Sequence, residues 1–189
     1  MIDRTLRVLS RGLILAATLL WVASPAAQES AKAGVYADED KDWGVPARSQ
    51  LRTVDYHAPT PREIPGGRVV VTGELKQLLE KEPRPFLLDV VGGDLHRTIA
   101  GAFWLTGAGA GDMSRDEEKR FGEVLAKFAG GDKSRAFVFF CVDSQCWLSH
   151  NAATRAIAAG YTNVMWYRGG VAAWREAGLP MATSDPFYW

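Results

Sequence analysis

The chain has 189 residues, with 22 acidic and 22 basic side chains and no formal net charge. That balance gives no support for nucleic-acid binding or for a strongly charged partner surface. At 47% hydrophobic and 23% charged it reads as an ordinary globular protein, one domain plus extensions.

The N-terminus carries a targeting pattern. Arg4, Arg7 and Arg11 precede the apolar run Gly12 to Ala23, and small residues follow at Ser24, Ala26 and Ala27. A basic region, a short apolar region and a small-residue exit describe a secretory signal peptide. The run is about 12 residues, short of the roughly 20 that a spanning helix needs. Residues 1–27 are therefore expected to be removed on export to the periplasm, leaving a mature chain with no membrane span. An uncleaved N-terminal anchor is the less favoured alternative.

Residues 28–67 are polar and proline-rich and read as an extended arm. They hold Asp38-Glu39-Asp40, Asp42-Trp43-Gly44-Val45-Pro46 and Tyr56-His57-Ala58-Pro59-Thr60-Pro61. Trp43 and Tyr56 are the residues expected to pin the arm. The stretch before Trp43 reads equally as a disordered leader.

From Arg68 to the C-terminus, strands and helices alternate. Arg68 to Val71 is a short β-branched run, and Thr72 is placed to cap a helix carrying Leu75, Leu78 and Leu79. Phe86 to Val91 is an apolar strand interrupted by Asp89. Ser114 and Glu117 form a capping-box pair before Phe121, Val124, Leu125 and Phe128 at helical spacing, and Gly130-Gly131 ends that helix. The strand Phe137–Phe140, the helix Leu148–Ala159, the strand Asn163–Tyr167 and a short helix Val171–Ala177 follow. Strands apolar on both faces, alternating with helices, predict an α/β fold: a parallel sheet flanked by helices, residues 68–189, behind the extended N-terminal arm.

The two cysteines of the chain, Cys141 and Cys146, lie in one loop with Val142, Asp143, Ser144 and Gln145, followed by Trp147. Ligands of open parallel sheets bind beyond the carboxyl ends of the strands, and Cys141 stands at such an end. A helix N-terminus and loop N–H groups favour a thiolate there. Cys141 is thus expected to be held, reachable and ionisable. Cys146 admits three readings: partner in a redox-active pair, partner in a structural disulfide, or resolving thiol for a sulfur-transfer nucleophile. His150, four residues on, shares a helix face with Cys146, either tuning it or sitting as an ordinary helical histidine. Asp143 disfavours an anionic substrate and is suited to bonding the loop backbone. Trp147 is read mainly as a packing residue. Asp89 is read as an acceptor beside the crevice or, preferably, as a loop anchor. Without a CxxCH motif there is no covalent haem, and two cysteines with three scattered histidines make no structural zinc site, so no metal or cofactor is expected.

At these residues the chain resembles the rhodanese family, over about residues 70–181. Phe86-Leu87-Leu88-Asp89-Val90 resembles its "LLDVR" strand and Ile99-Ala100-Gly101-Ala102 its "HIPGA". Asn163-Val164, then Gly169-Gly170-Val171-Ala172-Ala173-Trp174 and Ala177-Gly178-Leu179-Pro180, resemble "NV…GGxxAW…AGLP". More narrowly, the two arm motifs, Gly101 to Leu105 and Cys146-Trp147 are similar to an exported rhodanese-like subgroup. That subgroup is named for a CXXCW motif and is associated with PQQ-dependent alcohol catabolism. The resemblance implies thiol redox or sulfur-transfer chemistry at Cys141, with small sulfur species or a protein thiol as partner. It also implies a quinoprotein dehydrogenase or c-type cytochrome nearby. The alternative is a non-catalytic assembly module with a fixed Cys141–Cys146 disulfide. Four departures weigh against thiosulfate:cyanide sulfurtransferase activity. Val91 stands where the family has arginine, and Cys146 stands where an anion-binding arginine is common. The loop has no glycine, and four residues rather than two separate the cysteines.

Overall fold

The structure is a computed structural model that describes residues 35–189. The segment 1–27 read as a signal peptide, and residues 28–34 of the arm, lie outside the described residues. The elements run β1 (Arg68–Val70), α1 (Thr72–Leu79), β2 (Phe86–Asp89), β3 (Arg97–Ile99), β4 (Phe103–Trp104), α2 (Arg115–Ala129), β5 (Phe137–Phe140), α3 (Trp147–Ala158), β6 (Val164–Tyr167), α4 (Gly170–Glu176) and β7 (Met181–Thr183).

Five strands form one parallel sheet in the order β1-β6-β5-β2-β4. The remaining two, β3 and β7, make a small antiparallel ribbon with Thr98 opposite Ala182. Alternate residues of the central strands serve two cores. Phe137, Phe139 and Trp166 pack with Phe121 and Leu125 of α2 and with Ala152, Ala153 and Ala156 of α3. Val138, Phe140, Met165 and Tyr167 pack with Leu75 of α1 and with Val171 and Trp174 of α4. Because helices cover both faces, the strands are apolar throughout instead of alternating. Among the described residues no helix is long and apolar enough to cross a membrane.

Helix α2 starts as the sequence predicts. The Ser114 hydroxyl accepts from the Glu117 N–H at 3.3 Å, and the Ser114 N–H donates to the Glu117 carboxylate at 2.7 Å. Gly130, in the left-handed region, ends it. Helix α1 departs from the expectation. Val71, not Thr72, is the capping position, and its side chain offers no bond. The acceptor comes from the arm: Glu39 Oε2 takes both the N–H and the hydroxyl of Thr72, each at 2.8 Å. A carboxylate there satisfies an orphan donor and meets the positive end of the helix.

The arm lies against the carboxyl edge of the sheet, fixed by a buried arginine. Arg168 follows β6 directly and is 1% exposed. Its guanidinium donates to Thr60 Oγ1 at 2.8 Å, to the Thr60 carbonyl at 3.1 Å and to the Glu39 carbonyl at 3.0 Å. Thr60 then donates its hydroxyl to the Ser144 carbonyl at 2.5 Å. Further along, the Asn151 amide clasps Arg52, accepting from its N–H at 2.9 Å and donating to its carbonyl at 2.7 Å. Tyr56 pins the arm as expected, its hydroxyl accepting from the Gly111 N–H at 2.9 Å. Gly111 is needed here, since a Cβ would strike the Arg52 carbonyl. Trp43 is half-buried, with the Lys41 ammonium 4.1 Å over its ring. Docking begins ahead of Trp43, because Glu39 is already buried.

Replacing Arg168 by methionine leaves two buried carbonyls without charged donors. Arg168→Met should lower the unfolding free energy by about 2–4 kcal/mol. A urea midpoint equal to that of the wild type would contradict this account of the arm.

Candidate functional site

The apolar strand β5 ends at Phe140, and Cys141 is the next residue. Cys146 is the capping residue of α3, so the two sulfurs sit at a strand end and a helix start. They form a disulfide, with Cα atoms 6.1 Å apart. The strand–loop–helix geometry expected from the sequence is present. The expected accessibility is not: Cys141 is 2% and Cys146 5% exposed, whereas Val142 between them is 41% exposed.

Both cysteines belong to the core on the α2–α3 face of the sheet, and the backbone of their loop is held from two further sides. On one side, the carbonyls of Cys141 and Val142 accept from the N–H groups of Val171 and Ala172, at 2.9 and 2.8 Å, and so cap α4. Gly170, at φ +58, is required at this approach, because a Cβ there would collide with the Cys141 carbonyl. On the other side lies the arm. The Ala58 N–H donates to the Gln145 carbonyl and the Trp147 N–H donates to the Tyr56 carbonyl, both at 2.8 Å. Between these bonds His57 stands opposite Cys146 in an antiparallel bridge. Ser144 is buried, its hydroxyl donating to the Ala37 carbonyl at 3.4 Å.

The loop N–H groups that the sequence suggests for a sulfur anion are partly engaged elsewhere. The Gln145 N–H donates to Asp143 Oδ1 at 2.9 Å, and the Cys146 N–H to the Asp143 carbonyl at 3.2 Å. Asp143 thus shapes the loop through its backbone. Its other oxygen, Oδ2, lies 3.1 Å from His57 Nε2. Trp147 is packed: its indole donates to the Pro59 carbonyl at 3.2 Å, and the guanidiniums of Arg48 and Arg52 lie 5.3 and 5.2 Å from its ring.

Asp89 is a buried loop anchor. Its carboxylate accepts from the Val91 N–H at 2.9 Å and from the Thr98 hydroxyl at 2.5 Å, and it meets His96 Nε2 at 2.7 Å. In register it pairs with Phe140, one residue before the first cysteine. The hydrogen bond to Asp89 raises the pKa of His96 above its ordinary value. His150 is fully buried, its ring 5.0 Å from both Trp147 and Trp166. Burial, with the nearby Arg48 charge, pushes its pKa down to about 4. It therefore sits neutral among indoles, and its Nδ1 meets the Thr154 hydroxyl at 3.5 Å. Among the described residues no group of three or more His, Cys, Asp or Glu could hold a metal ion. Sequence reasoning assigned no role to His57, Thr60 or Arg168; the signal available was the compact motif Tyr56 to Pro61.

A family model described as the rhodanese-like domain matches residues 71–177. The chain is also similar to several solved structures. One is the Alr3790 protein from Anabaena sp., 26% identical over 57% of this chain and 86% of that one, with a TM-score of 0.40. Another is a thiosulfate sulfurtransferase from Pseudomonas aeruginosa, 17% identical over 64% of this chain and 21% of that one, with a TM-score of 0.45. A third is an EanB variant in complex with hercynine, 21% identical over 68% of this chain and 34% of that one, with a TM-score of 0.48. No curated protein matches the chain. The match to the family model covers more than half of the residues, and the chain belongs to the rhodanese-like family.

The two histidines give opposite pH signatures. His150 has a folded pKa of about 4, below its unfolded value near 6.5, so its protonation favours the unfolded chain. Stability should be full above about pH 6.5 and fall as pH drops toward 4, by about 3 kcal/mol from this residue alone. His96, with a raised folded pKa, contributes stability below its unfolded value that is lost as pH rises through the folded one. Urea unfolding at a series of pH values, compared between wild type and His150→Phe, checks the first. The loss between pH 6.5 and 4 should shrink in the variant, and an unchanged loss would contradict it.

Proposed function

We propose that this chain is an exported rhodanese-like protein whose Cys141–Cys146 pair carries out thiol–disulfide chemistry. Cys141 holds the mixed disulfide or persulfide and Cys146 resolves it. The observation that carries this reading is the bond itself. The cysteine at the sheet's carboxyl edge, where the family resemblance puts the nucleophile, is joined to a second cysteine five residues on. That second sulfur occupies the helix start, where the resemblance puts an anion-binding arginine in sulfurtransferases. A site so arranged suits two-electron exchange with a thiol better than transfer of sulfane sulfur from thiosulfate. The substrate class is a protein thiol or a small sulfur species such as hydrosulfide. The N-terminal sequence pattern supports a periplasmic location. The arm motifs support work beside a PQQ-dependent dehydrogenase or a c-type cytochrome.

One observation favours a second reading. Both cysteines are buried in the core, and their loop is bonded to α4 and to the arm. A disulfide so covered suits a non-catalytic docking module, in which it staples the loop and stabilises the fold by about 2 kcal/mol.

Cysteine variants separate the two. Incubated with oxidised glutathione, Cys146→Ser should accumulate a mixed disulfide on Cys141, seen as a mass increase. Reduced wild type should pass through the same adduct and close to its internal disulfide. Thiosulfate:cyanide turnover should be absent from all forms. A Cys146→Ser protein that stays unmodified while folded would leave the docking module as the correct reading.

A further inference from the structure

The arm brings a histidine to the cysteine pair that the loop itself does not supply. His57 and Cys146 are opposed residues of an antiparallel bridge. The bonds flank the pair, Ala58 N–H to the Gln145 carbonyl and Trp147 N–H to the Tyr56 carbonyl, both at 2.8 Å. This is the narrow, non-hydrogen-bonded type of antiparallel pairing. Its opposed side chains project to the same face with Cβ atoms about 4.5–5.5 Å apart. The imidazole is not buried: the His57 side chain is 62% exposed, against 29% for Asp143. Nε2 lies 3.1 Å from Asp143 Oδ2, and Asp143 is itself held by the Gln145 N–H on Oδ1. A carboxylate fixed by the loop therefore orients a ring fixed by the arm, on a residue paired with the cysteine at a helix N-terminus.

We propose that His57, oriented by Asp143, holds and returns the proton of Cys146, making Cys146 the sulfur that leaves and returns during exchange. The inference rests on the thiol–disulfide reading of the pair given above. With Nε2 engaged by Asp143, Nδ1 is the nitrogen that exchanges the proton. In the opening step a substrate thiolate forms a bond to Cys141 Sγ and the Cys141–Cys146 bond breaks. The electron pair of that bond goes to Cys146 Sγ, which takes the proton of the His57 imidazolium. In the closing step Cys146 returns its proton to His57 and its sulfur attacks Cys141 Sγ. The substrate sulfur departs as thiolate, so no outside oxidant or reductant enters. The α3 N-terminus favours the anionic form of Cys146 at the two moments that need it, as the sulfur leaves and as it attacks. The charged groups around His57 come from three segments. Asp143 of the loop meets the ring. Asp112 bonds the neighbouring Tyr56 hydroxyl at 3.4 Å. On the arm itself, Arg52 folds onto the carbonyls of Val54 and Asp55.

The test uses the Cys141→Ser background, in which Cys146 is the remaining thiol, and follows its ultraviolet thiolate absorbance against pH. Adding His57→Gln should move the Cys146 midpoint upward by about one unit. Exchange of the two-cysteine protein with glutathione near neutral pH should slow by about tenfold on the same change. Tyr56→Phe removes the hydroxyl bond to Gly111 but keeps the backbone bonds that hold His57 opposite Cys146, and should leave the midpoint in place. An identical Cys146 midpoint with and without His57, or an equal shift in Tyr56→Phe, would overturn the role of His57. A wild-type disulfide that fails to exchange with glutathione would instead overturn the underlying thiol–disulfide reading.

Discussion

A single buried guanidinium holds the functional end of this molecule together. Arg168 sits where β6 leaves the sheet, and its donors reach two separate points of the arm. A buried charge of this kind is tolerated only when its donors are matched, and here backbone carbonyls and a hydroxyl match them. Through Thr60 the same residue reaches Ser144, in the middle of the cysteine loop. The loop in turn caps α4 with its first two carbonyls. Sheet edge, arm, loop and helix are therefore parts of one hydrogen-bonded assembly. The arm is not an appendage of the domain but the wall on one side of its site.

This arrangement sets the terms for any chemistry. In the described state the pair is oxidised and buried, so a partner thiol must first gain access to it. The arm meets the loop mainly through backbone bonds next to solvent, such as those at Tyr56 and Ala58. Segments held in this way are drawn from the less stable part of a fold, and local opening there costs less than global unfolding. The exposed Val142 and His57 mark where such an opening would begin. Disulfide chemistry at this pair would thus be coupled to arm docking through the same few residues. The docking-module reading shares this geometry and differs only in holding the pair permanently closed.

Much of the fold is legible in the sequence because its determinants are local. The Ser114–Glu117 capping box, the Gly130 stop and the doubly apolar strands β5 and β6 each follow from a few adjacent residues. The cysteine loop is legible for the same reason in its position, between a strand end and a helix start, whereas the bond between its two sulfurs is one of three readings that the spacing leaves open. What escapes is long-range. Glu39 caps a helix 33 residues away, and Arg168 binds Thr60 from 108 residues away. No periodicity records either contact. The ribbon of β3 with β7 is hidden because two short strands far apart in the chain pair with one another outside the main sheet. The burial of Cys141 escapes because a polar, proline-rich arm carries no signature of the surface it covers. His150 is legible as a helical residue, but its neutrality comes from burial and the nearby Arg48 charge, its ring lying 5.0 Å from Trp147 of its own helix and from Trp166 of β6.

The central claim is that the Cys141–Cys146 bond opens and closes in the folded protein. Its reduction potential, measured by equilibrating the intact protein with glutathione buffers of graded composition, tests that claim most directly. The account predicts a value within the range of exchange-competent pairs, between about −270 and −120 mV. A value below about −300 mV would mark a permanent staple and contradict it.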